Sequence, residues 1–190
     1  MKSFVSWKSI IVLKINKIWM VRRAKLVNDI VELIPIFQLL SSEYHRKVYS
    51  ALLDSWLTEE ELRKNFGDGF KETLRILKHA GMLEVRWRMP SDPAGKPEKE
   101  YHVSYTHLSA NFYVSLKEFN KILEIIFMPE DEMEEHVQKI KREVELGRNS
   151  IGHIIKTLNY DPLFVRGIVK KSLKFNLKGQ IIEFARDEEI

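Results

Sequence analysis

Between Phe70 and Ala80 the hydrophobic and polar positions follow a helical rhythm. Phe70, Thr73, Leu74, Leu77 and Ala80 fall within one arc of about 120° on a wheel drawn at 100° per residue, and Lys71, Arg75, Lys78 and His79 fall on another. One face is suited to packing and the other is a row of donors. Gly81 follows at the point where a helix end favours a residue that tolerates the left-handed conformation. Leu83 to Arg88 and Glu100 to Thr106 then alternate with a period of two, as the arms of a half-exposed hairpin do. Their connection, MPSDPAGKPEK, contains three prolines and a glycine and can continue neither strand.

On either side of this stretch the pattern predicts further helices. Arg22 to Leu40 reads as one helix with Leu26, Ile30, Leu33, Ile34 and Phe37 on one face, which Pro35 should kink or divide. It either covers the back of the next unit or, the preferred reading, serves as a dimerisation helix. Ser42 caps a helix to Asp54 with Tyr44, Val48, Ala51 and Leu52 inward. Thr58 and Glu61 have the spacing of a capping box, and the helix they begin ends at Phe66-Gly67-Asp68-Gly69. Three short helices and a hairpin complete a unit over residues 41–106.

The rest of the chain, 107–190, repeats that logic. A helix is expected over Leu116–Phe127 with Phe119, Ile122, Leu123 and Ile126 apolar. A second runs from Pro129 to Gly147 on a stripe of Met133, Val137, Ile140 and Val144. Its acid-rich start and basic later part suit the helix dipole, and its carboxylates read as a solvated face. Ser150 caps a short helix with Ile151, Ile154, Ile155 and Leu158 inward. Asp161-Pro162 then starts another, with Phe164, Val165, Ile168, Val169 and Leu173 on one side and Arg166, Lys170, Lys171 and Lys174 on the other. Alternation around Lys178-Gly179 predicts a closing hairpin. The expected fold class is mainly α with small β-hairpin wings (α+β): a winged helix-turn-helix, with two such units in tandem.

Composition narrows the chemistry. The chain has 190 residues, is 44% hydrophobic and contains no cysteine, which excludes disulfides, thiolate metal sites and thiol nucleophiles and fits a reducing cytoplasm. The net charge of +4 is unevenly placed: residues 1–27 hold seven basic side chains and no acidic one, leaving 24 basic against 27 acidic beyond them. Only the local basic arcs therefore argue for nucleic acid. Residues 1–21 form an N-terminal extension, either a mis-assigned start ahead of Met20 or a loosely attached arm. Its lysines interrupt any membrane span. No glycine-rich phosphate loop, H-E-x-x-H or G-x-S-x-G occurs, so neither an enzyme nor a cofactor is expected.

The run Leu74, Leu77, Ala80, Gly81, Met82, Leu83, followed by a charged hairpin and the return strand Lys96-Pro97-Glu98-Lys99-Glu100-Tyr101-His102-Val103, resembles the ArsR-like winged-helix regulators of archaea. The resemblance implies a cytoplasmic transcription regulator that binds double-stranded DNA as a homodimer. Metal-sensing relatives use cysteine ligands, so this chain is expected to sense no metal. His102 and His107 are five residues apart on a strand and its exit and should face opposite sides. The geometry of a helix in the major groove assigns base readout to Lys71, Glu72, Arg75, Lys78 and His79. Phosphate contacts fall to the wing residues Arg86, Arg88, Lys96 and Lys99, and to Arg166, Lys170, Lys171 and Lys174 of the second unit. Trp87 reads either as an exposed wing aromatic or, the preferred reading, as a strand anchor. The extra region after residue 117 tilts the expectation toward activation through a basal transcription factor, with the archaellum-gene activators as a candidate relative. The competing expectation is a winged-helix module that binds protein or RNA.

Overall fold

The structure, a computed structural model, describes residues 23–90 and 95–185. The expectations for residues 1–21 lie outside them. The first described segment departs from the single helix expected over Arg22–Leu40. Ala24–Val27 is a strand, β1, followed by a 3-10 turn at Ile30–Glu32 and then helix α1, Leu33–Ser41. Asp29 makes the break: its backbone is extended and its carboxylate accepts from the Val31 amide at 3.1 Å, which starts a new turn. Pro35 lies in the first turn of α1, where no intrahelical amide bond is required, and divides nothing. Leu26, expected on the apolar face, is exposed.

Helix α1 sits between two hydrophobic cores. Ile34 belongs to one, Ile36 and Leu39 to the other, and Leu33 packs against both. Its side chains Ile34, Ile36 and Leu39 are thus covered by its own chain.

The first core gathers α2 (Glu43–Asp54), α3 (Glu59–Phe66), α4 (Phe70–His79) and the hairpin of β3 (Leu83–Arg88) and β4 (Glu98–Val103). Ser42 caps α2, and the Thr58–Glu61 capping box of α3 forms in both directions, at 3.2 and 2.7 Å. Thr58 also belongs to the two-residue strand β2 (Leu57–Thr58), which pairs with β4 to give the antiparallel order β2-β4-β3. Strand β4 stops at Val103 rather than Thr106. The chain there turns to lay β5 (His107–Ala110) parallel to β1, with the amides of Thr106 and His107 donating to the Arg23 carbonyl.

The second core gathers α5 (Leu116–Phe127), α6 (Glu130–Glu145), α7 (Ile151–Leu158), α8 (Pro162–Ser172) and the hairpin β6 (Phe175–Lys178) and β7 (Ile181–Phe184). The stripe Met133, Val137, Ile140 and Val144 is buried as its spacing requires. Asp161 caps α8 through the amides of Leu163 and Phe164, with Pro162 at the first helical position. Val165, Ile168 and Val169 are buried, and at Gly167 a Cβ would come within 2.5 Å of Ile125 Cδ1, so α8 lies directly on α5. Ser150 makes a single bridge to Ile181, as β2 pairs with β4 in the first half. Eight α-helices and three small sheets among the described residues give a mixed α/β architecture compatible with a winged-helix type fold.

Candidate nucleic-acid interface

Helix α4 is held by its apolar face. Phe70, Leu74, Ile76 and Leu77 are buried, and the buried Thr73 hydroxyl bonds the His45 ring of α2 at 2.8 Å. At its start Gly69 lies against Tyr44, whose hydroxyl donates to the Phe66 carbonyl at 2.9 Å. A Cβ at Gly69 would meet that hydroxyl at 3.0 Å and the ring at 3.1 Å. At its end Gly81 takes φ +64°, its amide donates to Lys78 and that of Met82 to Leu77: the paired bonds of a Schellman stop. Both ends of α4 are therefore fixed before any ligand arrives.

On the free face Lys71, Arg75 and Lys78, at i, i+4 and i+7, are exposed, with Glu72 exposed beside them. Lys71 makes a loose pair with Glu59 at 3.4 Å, both half-solvated, an arrangement a phosphate can displace. His79 is not part of this row. Its ring is largely buried, its Nε2 is enclosed without a hydrogen-bond partner among the described residues, and burial, aided by Lys170, lowers its pKa to about 4. At neutral pH it is an uncharged packing residue, enclosed near Lys170 of α8.

The hairpin also departs from expectation. Arg86 and Arg88 face away from α4 and close a clamp on the back of the sheet. Both donate to the carboxylate of Glu100, Arg88 from Nε at 2.6 Å, and Arg88 also reaches Glu61 at 2.9 Å and the Trp56 carbonyl at 3.1 Å. Arg86 lies over the Trp56 ring at 3.8 Å, and His102 stacks on that ring from another side. Burial resists the ionisation of Glu100 more than any other single influence, yet the two guanidinium bonds together outweigh it and hold its pKa below the ordinary carboxylate value. These two arginines are thus engaged within the chain. Lys96 is exposed and Lys99 half-buried on β4.

Trp87, between the two arginines, points the other way. It is 62% exposed rather than an anchor, because the hairpin runs out past the helices at that point. With its cross-strand neighbour Lys99 it borders the α4 face. Strand alternation places Trp87 on the side of Tyr101, but only the length of the hairpin decides that it is uncovered. These groups line an open cleft of about 1660 Å³ whose far wall is the end of α8 and the β6–β7 hairpin, including Lys174, Lys178 and Phe184. Glu59, Glu60, Glu72, Glu98 and Glu183 also reach it, so the cleft is mixed in charge.

The basic row of α8 does not form a second such face. Arg166 pairs with Asp29, and Lys171 donates to the carbonyls of Ile125 and Met128 at 2.8 and 2.9 Å, capping the C-terminus of α5. Lys170 is half-buried, with its pKa lowered by that burial, and Lys174 pairs with Glu134 at 2.8 Å. The row packs because α8 is surrounded by α1, α5, α6 and α7, which an amphipathic wheel alone does not reveal.

No group of three or more histidine, aspartate or glutamate side chains among the described residues is placed to hold a metal ion. His107 bonds Thr106, apart from His102. No helix among the described residues is long and apolar enough to cross a membrane. A protein-family model described as ArsR transcriptional regulator matches residues 27–186. Comparisons with curated proteins and with solved structures returned no match.

Proposed function

The chain belongs to the ArsR family of transcriptional regulators, and on that premise we propose that it binds duplex DNA sequence-specifically with α4 as its reading helix. The observation that carries the proposal is the exposed row Lys71, Arg75 and Lys78 on a helix whose opposite face and both ends are fixed. A helix of this width fits the major groove, where an arginine reaches guanine O6 and N7. Arg75, mid-helix, is the base-reading group. Lys71 and Lys78 hold the backbone on either side, and Lys96, Lys99 and Trp87 of the wing lie on flanking DNA. Two copies act together on a two-fold site, since one such helix reads only a few base pairs. The β6–β7 half is a second winged-helix unit by its element order, with a structural third helix rather than a reading one. The regulator activates, and the exposed acid-rich start of α6 (Glu130, Asp131 and Glu132) is the feature that supports this direction. The absence of cysteine leaves no thiolate metal sensor. The test is selection of bound duplexes from a pool of random sequence. Recovery of one shared motif, lost with Arg75→Ala, is expected. Recovery of unrelated sequences, or of none above background, would replace this reading with that of an interaction module.

A further inference from the structure

Opposite the α4 row, the second hairpin carries a basic row of its own. From the residue before β6 to its end, Phe175 is buried and Leu177 half-buried, while Lys174, Asn176 and Lys178 are exposed. This is the alternation of a strand with one face on the core. Its other face lines the same cleft as Lys71, Arg75 and Lys78 of α4. Two rows of donors, one at helical and one at strand spacing, thus border a single space from its two walls.

The hairpin lysines are only loosely engaged. Lys178 pairs with Glu183 of β7 at 2.6 Å and Lys174 with Glu134 of α6 at 2.8 Å, and all four side chains are 44–66% exposed. Pairs this solvated contribute little and exchange readily for another anion. Arg86 and Arg88 differ, since they share the buried Glu100, and so does Lys171, which is bonded to helix carbonyls. The cleft also holds carboxylates, but Glu183 is met by Lys178 and Glu59 by Arg63 and Lys71, and the outward row of β6 contains none.

We propose that the β6–β7 hairpin is a second wing, which holds the sugar-phosphate backbone of the same duplex that α4 reads. The inference rests on that reading and gives the far wall of the cleft a partner. With α4 in a major groove, a backbone strand bordering the groove passes beside the helix, and the cleft leaves room for it. Lys174 and Lys178 are four residues apart, about 13 Å along a strand, so they meet two phosphates of one strand. Asn176 between them adds an uncharged donor. Such contacts fix register and carry no sequence information. The second unit then contributes through its hairpin what its packed helix α8 does not.

The test is the salt dependence and the hydroxyl-radical footprint of the full chain on the selected duplex. Lys174→Ala/Lys178→Ala should make the slope of log affinity against log salt shallower by roughly 1.8, at about 0.9 per phosphate. It should also uncover backbone positions beside the motif while the motif itself stays the same. Lys174→Arg/Lys178→Arg should keep the wild-type slope. Glu183→Gln releases Lys178 and should tighten binding roughly 2- to 5-fold at low salt, a gain that a damaged fold cannot produce. Melting temperatures check folding and should hold, because these side chains are exposed. An unchanged slope and footprint in the double alanine variant, or a Glu183→Gln variant no tighter than wild type, would overturn the second wing and leave α4 as the reading helix. A wild type without duplex affinity would instead sink the α4 reading, and the second wing with it.

Discussion

Replacing Glu100 by alanine should loosen the wing without touching the reading helix. Its carboxylate, 3% exposed as a residue, accepts charge-assisted bonds from Arg86 and Arg88. Each such bond contributes roughly 1.5–3 kcal/mol. The sum is reduced because the guanidinium groups, 57% and 39% exposed, can turn to water once released. Removing a shielded carboxylate also removes its desolvation cost. We expect a net loss of about 2 kcal/mol, or roughly 4–8 °C in a cooperative melt of a chain this size. The stabilisation also has a pH signature. A carboxylate whose folded pKa lies below its unfolded one contributes fully above the unfolded value and loses that contribution as pH falls through the folded value. Wild type and Glu100→Ala should therefore converge in acid and differ at neutral pH. The assay is urea denaturation followed by circular dichroism at neutral and acid pH, with Glu100→Gln as the variant that keeps shape and removes charge. Equal stability of Glu100→Ala and wild type, with Arg86→Ala and Arg88→Ala each lowering the salt slope of DNA binding by about one, would show that these arginines act on phosphates and would refute the clamp.

Arg75→Ala should weaken binding to the selected duplex by about 1–3 kcal/mol, leave random-duplex binding unchanged and shift stability by less than about 0.5 kcal/mol, as competition binding and melting will show. For His79 the folded pKa of about 4 lies below the unfolded value, so the unfolded chain takes up the proton first. Stability present above the unfolded pKa, about 6.5, should then decline by up to roughly 3 kcal/mol as pH falls toward 4, and His79→Leu should flatten that decline in urea midpoints. Asp161→Ala removes the cap of α8 and a half-exposed pair with Lys121, and should cost about 1–2 kcal/mol in the same denaturation assay.

The elements legible in the sequence are those whose determinants are local. The α4 wheel, the Gly81 stop, the Thr58–Glu61 box and the Asp161-Pro162 start each depend on residues within one or two turns, and each forms. What was not legible depends on distant partners. Ala24–Val27 is a strand only because His107–Ala110 returns beside it. Arg86 and Arg88 are drawn into the chain's own contacts by Glu100 and Glu61, and Lys171 by the end of α5. The basic arcs of α4 and α8 look alike on a wheel. They differ because α8 is packed by helices around it while α4 faces an open cleft. His79 sits on the donor arc by angle, but belongs to the last turn, where it is buried near Lys170.

The most direct test of α4 as the reading helix is the salt dependence of its binding to the selected duplex, wild type against Lys71→Ala/Arg75→Ala/Lys78→Ala. For wild type, log affinity should fall linearly with log salt at about −0.9 per phosphate contact, giving a slope of roughly −3 to −5. The triple variant, folded by circular dichroism, should keep a shallower slope and lose preference for the selected sequence. An unchanged slope and preference in the triple variant would contradict the account and move the interface elsewhere on the molecule.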